Sequence, residues 1–264
     1  MSRSITARLL VAAALVLGLA GSVALRAQPA AEGQLWLVHQ ESAKPSMIPQ
    51  FEAATRDFVA LVKQHKAAMP SFHFVGLQGE DMSYTFAVPI ADFASIGGIG
   101  AEFGALAKAA GDKFVSVMAS SNAAMERVGE WVVREDPERG YAPASPRLKD
   151  DEKAFYAYDF YYLAAGKEED AKALAKEFVA LYKAKGVPDG YRLFWTVLGP
   201  EMPMLFVEVG AKDPVDLAQI DARVRQLTGA EGQALFARAQ TITRRFERRR
   251  AWLRPDLSVL PPAP

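Results

Sequence analysis

The chain has 264 residues, half of them hydrophobic, so it is long enough for two small domains or one large core. Lysine plus arginine and aspartate plus glutamate both number 31, and the formal charge of zero provides no general attraction to nucleic acid. The absence of cysteine excludes disulfide bonds, thiolate metal ligands, a cysteine nucleophile and a lipoprotein anchor.

Residues 1–27 are typical of a secretory signal peptide. Arg3 and Arg8 make a positive start, residues 9–23 are uncharged and mostly apolar, and small residues follow at Ala24 and Ala27. The apolar run is about 15 residues long, whereas a membrane-spanning helix needs about 20, which favours cleavage over an uncleaved anchor. We therefore expect a periplasmic or secreted protein with no membrane contact after the signal is cleaved.

The remainder contains an internal repeat with an offset of 120 residues. Residues 57–63 match residues 177–183, and further pairs follow at the same offset or one residue from it. These pairs are Phe74 with Phe194, 79–82 with 199–202, Phe86 with Phe206, and Trp131 with Trp252. So many matches in register indicate a duplication. We expect one repeat over residues 33–142 and the other over residues 153–260.

Both copies show the same order of predicted elements. Residues 35–39 and 155–162 are rich in aromatic and branched residues, which predicts a first strand. Apolar residues then recur at helical spacing over 51–65 and 171–182. A hairpin with a glycine turn, a second helical region and a short last strand follow in each copy. This order predicts an α+β fold of two tandem ferredoxin-like βαββαβ units.

The predicted hairpin strands and second helical regions have their own bounds. The hairpins cover 72–77 with 84–88, and 192–198 with 204–209. The second helical regions cover 93–128 and 215–249, with breaks expected at Gly111 and around Gly229. Each unit covers only one sheet face with helices, so the two sheets are expected to pack on each other as an intramolecular α+β barrel.

At this point the sequence resembles the dimeric α+β barrel superfamily, which includes antibiotic-biosynthesis-type monooxygenases and NIPSNAP-like proteins. The most specific runs are Gly-Tyr-Arg at 190–192, Leu-Gly-Pro-Glu-Met-Pro at 198–203 and Arg-Pro-Asp-Leu-Ser at 254–258. These runs are similar to an exported bacterial family of tandem-repeat proteins of unknown function. The resemblance implies the fold and says little about activity.

Several members of that superfamily bind haem, so the histidines need inspection. The chlorite dismutase-like tandem members present an axial histidine on a helix of the second copy, where this chain has no histidine. For the single-copy haem-degrading type only His65 is available, and its helix contains no asparagine. No histidine and carboxylate pair has the spacing of a metal site. We therefore expect neither a cofactor nor a metal.

Strand alternation predicts which side chains of the second copy face the other sheet. Leu205, Val207 and Val209 are aliphatic and are expected on the helix side. The residues alternating with the helix-facing ones are expected inside the barrel, together with Phe160, Thr196 and Met204. Six of the inward-facing residues form the candidate ligand-binding set, which consists of Tyr156, Tyr158, Arg192, Phe194, Phe206 and Glu208. In the first copy the repeat places Trp36, Val38 and Gln40 on the same side.

Arg192 and Glu208 are expected to be neighbours on adjacent strands and to form an ion pair. Such a pair either holds a carboxylate or phenolate ligand against the aromatic wall or only satisfies two charges inside the barrel. Both interpretations stay open, and the structural one is favoured.

The other polar candidates give no catalytic residue. His39 and Asp159 occupy equivalent positions, and a His-Asp dyad is a usable general base, but alternation puts both away from the aromatic wall. His73 is expected to be a buried core histidine and His65 an exposed residue at a helix end. The arginine-rich run 244–250 is interpreted as a solvated helix C-terminus rather than a surface for an anionic partner.

The leading functional hypothesis is a non-catalytic exported protein that binds a small aromatic or anionic molecule between the sheets. A cofactor-independent monooxygenase-like enzyme is the second hypothesis, and a purely structural or partner-binding module is the third. The enzyme ranks lower because the histidines lie outside the predicted aromatic interior.

Overall fold

A computed structural model of the protein describes residues 33–260. The expected signal peptide lies outside the described residues. Within them, eight antiparallel strands form one closed barrel, and five α-helices pack against its outer surface. None of the helices in this part of the chain has the length and apolar character that crossing a membrane requires.

The elements follow one another in the same order in both halves. The strands are β1 Leu35–Ala43, β2 Val75–Gly79, β3 Ser83–Ile90, β4 Met125–Glu135, β5 Phe155–Leu163, β6 Arg192–Leu198, β7 Met204–Ala211 and β8 Thr243–Leu253. The helices are α1 Ile48–Gln64, α2 Ala94–Ala110, α3 Asp112–Ala124, α4 Glu168–Lys185 and α5 Pro214–Ile242. The predicted α+β class is confirmed.

Closure of the barrel joins the two halves at two seams. The order around the barrel is β1, β3, β2, β8, β5, β7, β6 and β4, and β4 pairs with β1. Each half therefore contributes four adjacent strands in the same internal order. The seams are the antiparallel pairs of β2 with β8 and of β4 with β6. Closure leaves no free sheet edge within the barrel.

The repeat offset of 120 residues holds for the first strand and first helix of each half. The buried positions of α1 recur in α4 at that offset, as Phe51 with Ala171 and Leu61 with Leu181 show. Three acidic residues in the first turn of α4 complement the helix dipole, and Gly186 ends it in the left-handed conformation.

The ungapped offset is wrong in the hairpin strands. Phe74 and Phe86 pack in the core between the first half of the sheet and its helices, whereas Phe194 and Phe206 lie inside the barrel. Val38 pairs with Ala87 and its equivalent Tyr158 pairs with Glu208, so β7 follows β3 at an offset of 121 residues, and the pairing within the hairpins places β6 at an offset of 117 from β2. A register shift by an odd number of residues moves a strand's side chains to the other face. The two hairpins therefore present different residues to the interior.

The predicted equivalence of Trp131 and Trp252 is also wrong. Trp131 packs inside the barrel, whereas Trp252 is 39% exposed and packs against Phe155, with ring centroids 4.8 Å apart. The residue of β8 that takes the place of Trp131 is Arg249, which lies opposite Tyr158.

The arginine-rich run 244–250 belongs to β8, so its interpretation as a helix end is wrong. Helix α5 ends at Ile242, and the run pairs with β5 from Arg245 to Arg250. Arginine is a good helix former, and tertiary pairing overrides that local preference here. The core placement of His73 is wrong as well, because β2 begins only at Val75 and His73 is half-buried beside the carbonyl of Ser71.

The breaks predicted in the second helical region of each half are present. Gly111 has φ 56° between α2 and α3, and Gly229 has φ 53° at a kink inside α5. L-residues with a Cβ rarely adopt this conformation, so glycine permits the same bend in both halves.

Two polar cross-strand pairs occupy equivalent positions on the outer surface of the barrel. His39 Nδ1 lies 2.8 Å from Glu130 Oε1 and His39 Nε2 lies 3.1 Å from Glu41 Oε1. Asp159 instead accepts two hydrogen bonds from Arg248, at 2.6 and 2.8 Å. His39 and Asp159 thus each have a partner of their own on the neighbouring strand, with the signs of charge exchanged between the halves.

We expect His39→Gln to remove a pH-dependent part of the free energy of unfolding. Burial lowers the pKa of His39, but the bonds to Glu130 and Glu41 outweigh it and raise the pKa from 6.5 to about 9. A group whose pKa is raised by folding stabilises the folded state fully at pH values below its unfolded pKa. This stabilisation is lost as the pH rises through its folded pKa. The side chains are partly exposed, so the contribution is on the order of 1 kcal/mol.

Urea unfolding of the wild type and His39→Gln at about pH 6 and about pH 9.5 measures this contribution. The variant is expected to be less stable than the wild type at the lower pH and nearly equal to it at the higher. An equal difference at both pH values contradicts the assignment.

Candidate functional site

A cavity of about 890 Å³ opens inside the barrel. Large aromatic side chains cover one part of its wall, and small side chains of the first hairpin cover the part that faces it. The aromatic residues are Trp36, Trp131, Tyr156, Tyr158, Phe160, Phe194 and Phe206, and the small ones include Val75, Gly79, Thr85 and Ala87. The unequal registers of the two hairpins create this difference, so the cavity follows from the shift described above.

All six candidate ligand-binding residues predicted from the sequence line this cavity. Phe194 and Phe206 stack with ring centroids 4.7 Å apart, and Tyr158 meets the edge of Phe206 at 6.1 Å. Tyr156 lies parallel to Tyr158 at 6.3 Å. The structure brings these side chains together, and their role in binding a ligand stays a prediction.

Arg192 and Glu208 form the ion pair that strand alternation indicated, with Nη1 donating to Glu208 Oε1 at 3.1 Å. Arg192 has a second carboxylate partner that sequence reasoning missed. Its Nε and Nη2 donate to the two oxygens of Glu135, at 2.9 and 2.7 Å. The guanidinium carbon lies 4.7 Å from the ring centroid of Phe194 and 5.5 Å from that of Trp36.

Glu135 was missed because it ends β4 in the other half of the chain. It reaches Arg192 only through the seam between β4 and β6, where Glu135 lies opposite Phe194. The alternation of Trp131, Val133 and Glu135 along one strand was the available signal, since alternate residues share a face.

Burial and ion pairing act with different net effect on the charged forms of Arg192 and Glu208. Burial disfavours the charge of Arg192, but Glu135 and Glu208 outweigh that effect and raise its pKa. Burial raises the pKa of Glu208, and the favourable interaction with Arg192 does not fully offset this. One guanidinium thus serves two carboxylates, with two hydrogen bonds to Glu135 and one to Glu208.

The pKa values of the two neighbouring phenols are raised by burial and by the nearby carboxylates. Burial raises the pKa of Tyr156 to about 12, and Glu208 and Asp150 contribute to the rise. Burial, followed by Glu208, also raises the pKa of Tyr158 well above its usual value. Both phenols are therefore neutral hydrogen-bond donors at ordinary pH.

The segment between the halves, residues 136–154, forms part of the cavity wall near Arg192. Arg147 anchors it by donating to Asp189 at 2.8 Å and by an ion pair with Asp216 at 2.9 Å. The hydroxyl of Tyr141 donates to the carbonyl of Val187 at 2.9 Å. These contacts bind the segment to the second half of the chain.

Three buried donor groups around the barrel interior have no hydrogen-bond partner within residues 33–260. They are the indole nitrogens of Trp36 and Trp131 and the hydroxyl of Thr196. Buried polar groups without partners are rare in folded proteins and often mark functional sites. Within the same residues, no group of three or more histidine and carboxylate side chains has a metal-binding arrangement.

A second cavity, of about 440 Å³, lies between the second half of the sheet and helices α4 and α5. Tyr161, Tyr182 and Tyr191 contribute to its wall, and burial raises the pKa of all three. In the first half a cluster of phenylalanine rings fills the space between sheet and helices. That cluster consists of Phe58, Phe72, Phe74 and Phe103. Sequence reasoning missed this cavity because an unfilled volume has no sequence pattern.

Comparison with known proteins bears on the fold. No family model and no curated protein matches the sequence. An anthrone oxidase-like protein has a similar structure, with a TM-score of 0.55 and 8% identity, over 84% of this chain and 91% of that chain. A proposed monooxygenase from Lactobacillus acidophilus NCFM has a TM-score of 0.52 and 7% identity, over 86% of this chain and 96% of that chain.

A third similar structure is chlorite dismutase from Candidatus Nitrospira defluvii in complex with imidazole. Its TM-score is 0.50 and its identity 10%, over 85% of this chain and 92% of that chain. Identities this low establish a common fold and nothing about activity. The chain thus shares the fold of these three proteins.

Proposed function

We propose that this protein binds a small aromatic molecule in the barrel cavity. The observation that carries the proposal is the division of the cavity wall, with stacked aromatic rings facing a hairpin of small residues across about 890 Å³. Tyr156, Tyr158, Phe194 and Phe206 supply rings for contact with a flat ligand.

The cavity has the size and chemistry of a small-molecule site. Such sites typically measure about 300–1,000 Å³ and combine apolar walls with a few polar groups. Here Arg192, Glu135 and Glu208 form one polar cluster of the wall, and Arg249 lies over the ring of Phe160. An interior that served packing alone would be filled to the density of a protein core.

The anionic ligand considered from the sequence receives less support than the aromatic one. Glu135 takes two of the hydrogen bonds of Arg192 and Glu208 takes a third. A ligand carboxylate at this arginine would be close to two protein carboxylates and would be repelled by them. The ion pair therefore serves to hold the barrel wall, which is the structural interpretation.

A cofactor-independent oxygenase is the second candidate function. Glu208 favours it, because burial raises the pKa of this carboxyl group and so makes it a better proton acceptor than an exposed glutamate. The structural neighbours described above include a proposed monooxygenase and an anthrone oxidase-like protein. An activated aromatic ligand that loses a proton to Glu208 would be the substrate class for that reaction.

We further infer that the chain is an exported tandem pair of ferredoxin-like units, as the sequence led us to expect. The identical strand order of the two halves supports the tandem arrangement. The positive, apolar and small-residue order of residues 1–27 supports export to the periplasm or beyond the cell. Amino-terminal sequencing of the mature protein tests cleavage after Ala24 or Ala27.

Ala87→Phe is expected to abolish binding of a neutral aromatic probe, N-phenyl-1-naphthylamine, by filling the barrel cavity. Ala87 lies opposite Val38 on the small-residue part of the wall. The matched control is Ala175→Phe, which makes the same change in the wall of the second cavity. Fluorescence titration of the probe with wild type and both variants measures the stoichiometry and affinity.

The proposal requires one saturable site in the wild type, its loss in Ala87→Phe and its retention in Ala175→Phe. Loss in Ala175→Phe alone assigns ligand binding to the helix-sheet cavity and contradicts the proposed site. Circular dichroism of both variants verifies that the added ring has not unfolded the chain.

The oxygenase candidate predicts oxygen consumption in the presence of anthrone above the rate of the buffer alone. Glu208→Gln is expected to slow that reaction about 100-fold, since loss of a general base typically costs about 10²–10⁴ in rate. An oxygen electrode measures both rates. A wild-type rate equal to that of the buffer excludes anthrone oxidation, and an unchanged rate in the variant excludes Glu208 as the base.

A further inference from the structure

The cluster around Arg192 carries one more negative charge than positive charge. Glu135 and Glu208 both bond to this one guanidinium, and Glu135 occupies it through two hydrogen bonds while Glu208 has one, at 3.1 Å. Asp150, which also acts on Arg192, already pairs with Lys153 at 2.6 Å. Glu208 is therefore the carboxylate with fewer hydrogen bonds to Arg192, and the phenol of Tyr158 is its other polar neighbour.

Another cation of the cavity wall is also paired with a carboxylate of its own. Arg249 donates from Nη2 to Glu247 at 2.6 Å, so its charge is neutralised by a carboxylate of its own strand. Its guanidinium carbon lies 4.9 Å from the ring centroid of Phe160. A buried charge without full compensation is costly, and a bound cation would relieve that cost.

Aromatic rings surround the carboxylate of Glu208. Tyr158 and Glu208 lie opposite each other on β5 and β7, and Tyr156 is parallel to Tyr158 at 6.3 Å. Trp36 and Phe194 already hold the Arg192 guanidinium over their ring faces, at 5.5 and 4.7 Å. Ring faces attract cations, and aromatic rings around a carboxylate are the chemistry that recognises organic ammonium groups.

We propose that the ligand of the barrel cavity is an organic cation, an amine or quaternary ammonium with an apolar body, whose charged group lies beside Glu208 among the aromatic rings. This proposal rests on the proposed function, and it names the chemical class that the cavity binds. The apolar body extends along the stacked pair Phe194 and Phe206 toward the small-residue wall.

Three phenyl probes of similar size separate the effect of ligand charge on affinity from the effect of ligand size. Benzyltrimethylammonium is the cation, neopentylbenzene is its neutral isostere, and 3-phenylpropionate is an anion of similar length. Quenching of tryptophan fluorescence, with Trp36 and Trp131 in the cavity wall, measures each affinity. The cation is expected to bind at least about tenfold more tightly than the neutral isostere, and the anion more weakly than either.

Glu208→Gln is expected to weaken cation binding about tenfold and to leave the neutral isostere unchanged, because it removes charge with little change of shape. Glu177→Gln is the matched control. It removes a carboxylate of the same charge from a surface pair with Arg238 on the helices and is expected to leave all three affinities unchanged. If Glu208→Gln does not fold, Glu135→Gln serves the same purpose, since it removes the other charge that faces Arg192.

Cation binding no tighter than that of the neutral isostere overturns the proposal while leaving an aromatic-binding function intact. Equal weakening by Glu208→Gln and Glu177→Gln overturns it too, because a general loss of charge then explains the effect. If none of the three probes nor N-phenyl-1-naphthylamine binds, the proposed function itself fails.

Discussion

Each half of this chain, taken alone, would leave two sheet edges and one sheet face exposed, and closure of the barrel removes both problems together. The seams of β2 with β8 and of β4 with β6 pair the free edges, and the same geometry turns the uncovered faces toward each other. Contacts across the seams then join the two halves inside the barrel. The Arg192 cluster is an example, because Glu135 reaches it from the other half.

Duplication would make both halves of the interior alike if register were conserved throughout. Register is conserved in the first strand and first helix and differs in the hairpins, where offsets of 117 and 121 residues instead of 120 bring different side chains to the inner face. The inner face of the second hairpin then has Arg192, Phe194, Phe206 and Glu208, and that of the first has small residues. This difference places large side chains on one side of the barrel interior and leaves an open volume beside the small side chains on the other.

Charge inside that space is arranged so that one guanidinium serves two carboxylates. Such an arrangement costs stability unless it is completed, because a buried charge loses its hydration. Binding sites tolerate costs of this kind where a ligand supplies the missing charge. A cationic ligand group among the surrounding aromatic rings would supply that charge.

The sequence by itself determined the α+β class, the order of elements, the inward-facing aromatic set of the second half and the pairing of Arg192 with Glu208. Alternation and helical periodicity are local patterns, so they were readable without a partner strand. Only the tertiary structure decided the face of Phe74 and Phe86, the strand position of residues 244–250, the role of Glu135 and the existence of both cavities. Each of these depends on which strands pair across a seam and on how completely side chains fill a volume, and such non-local relations have no signature in neighbouring residues.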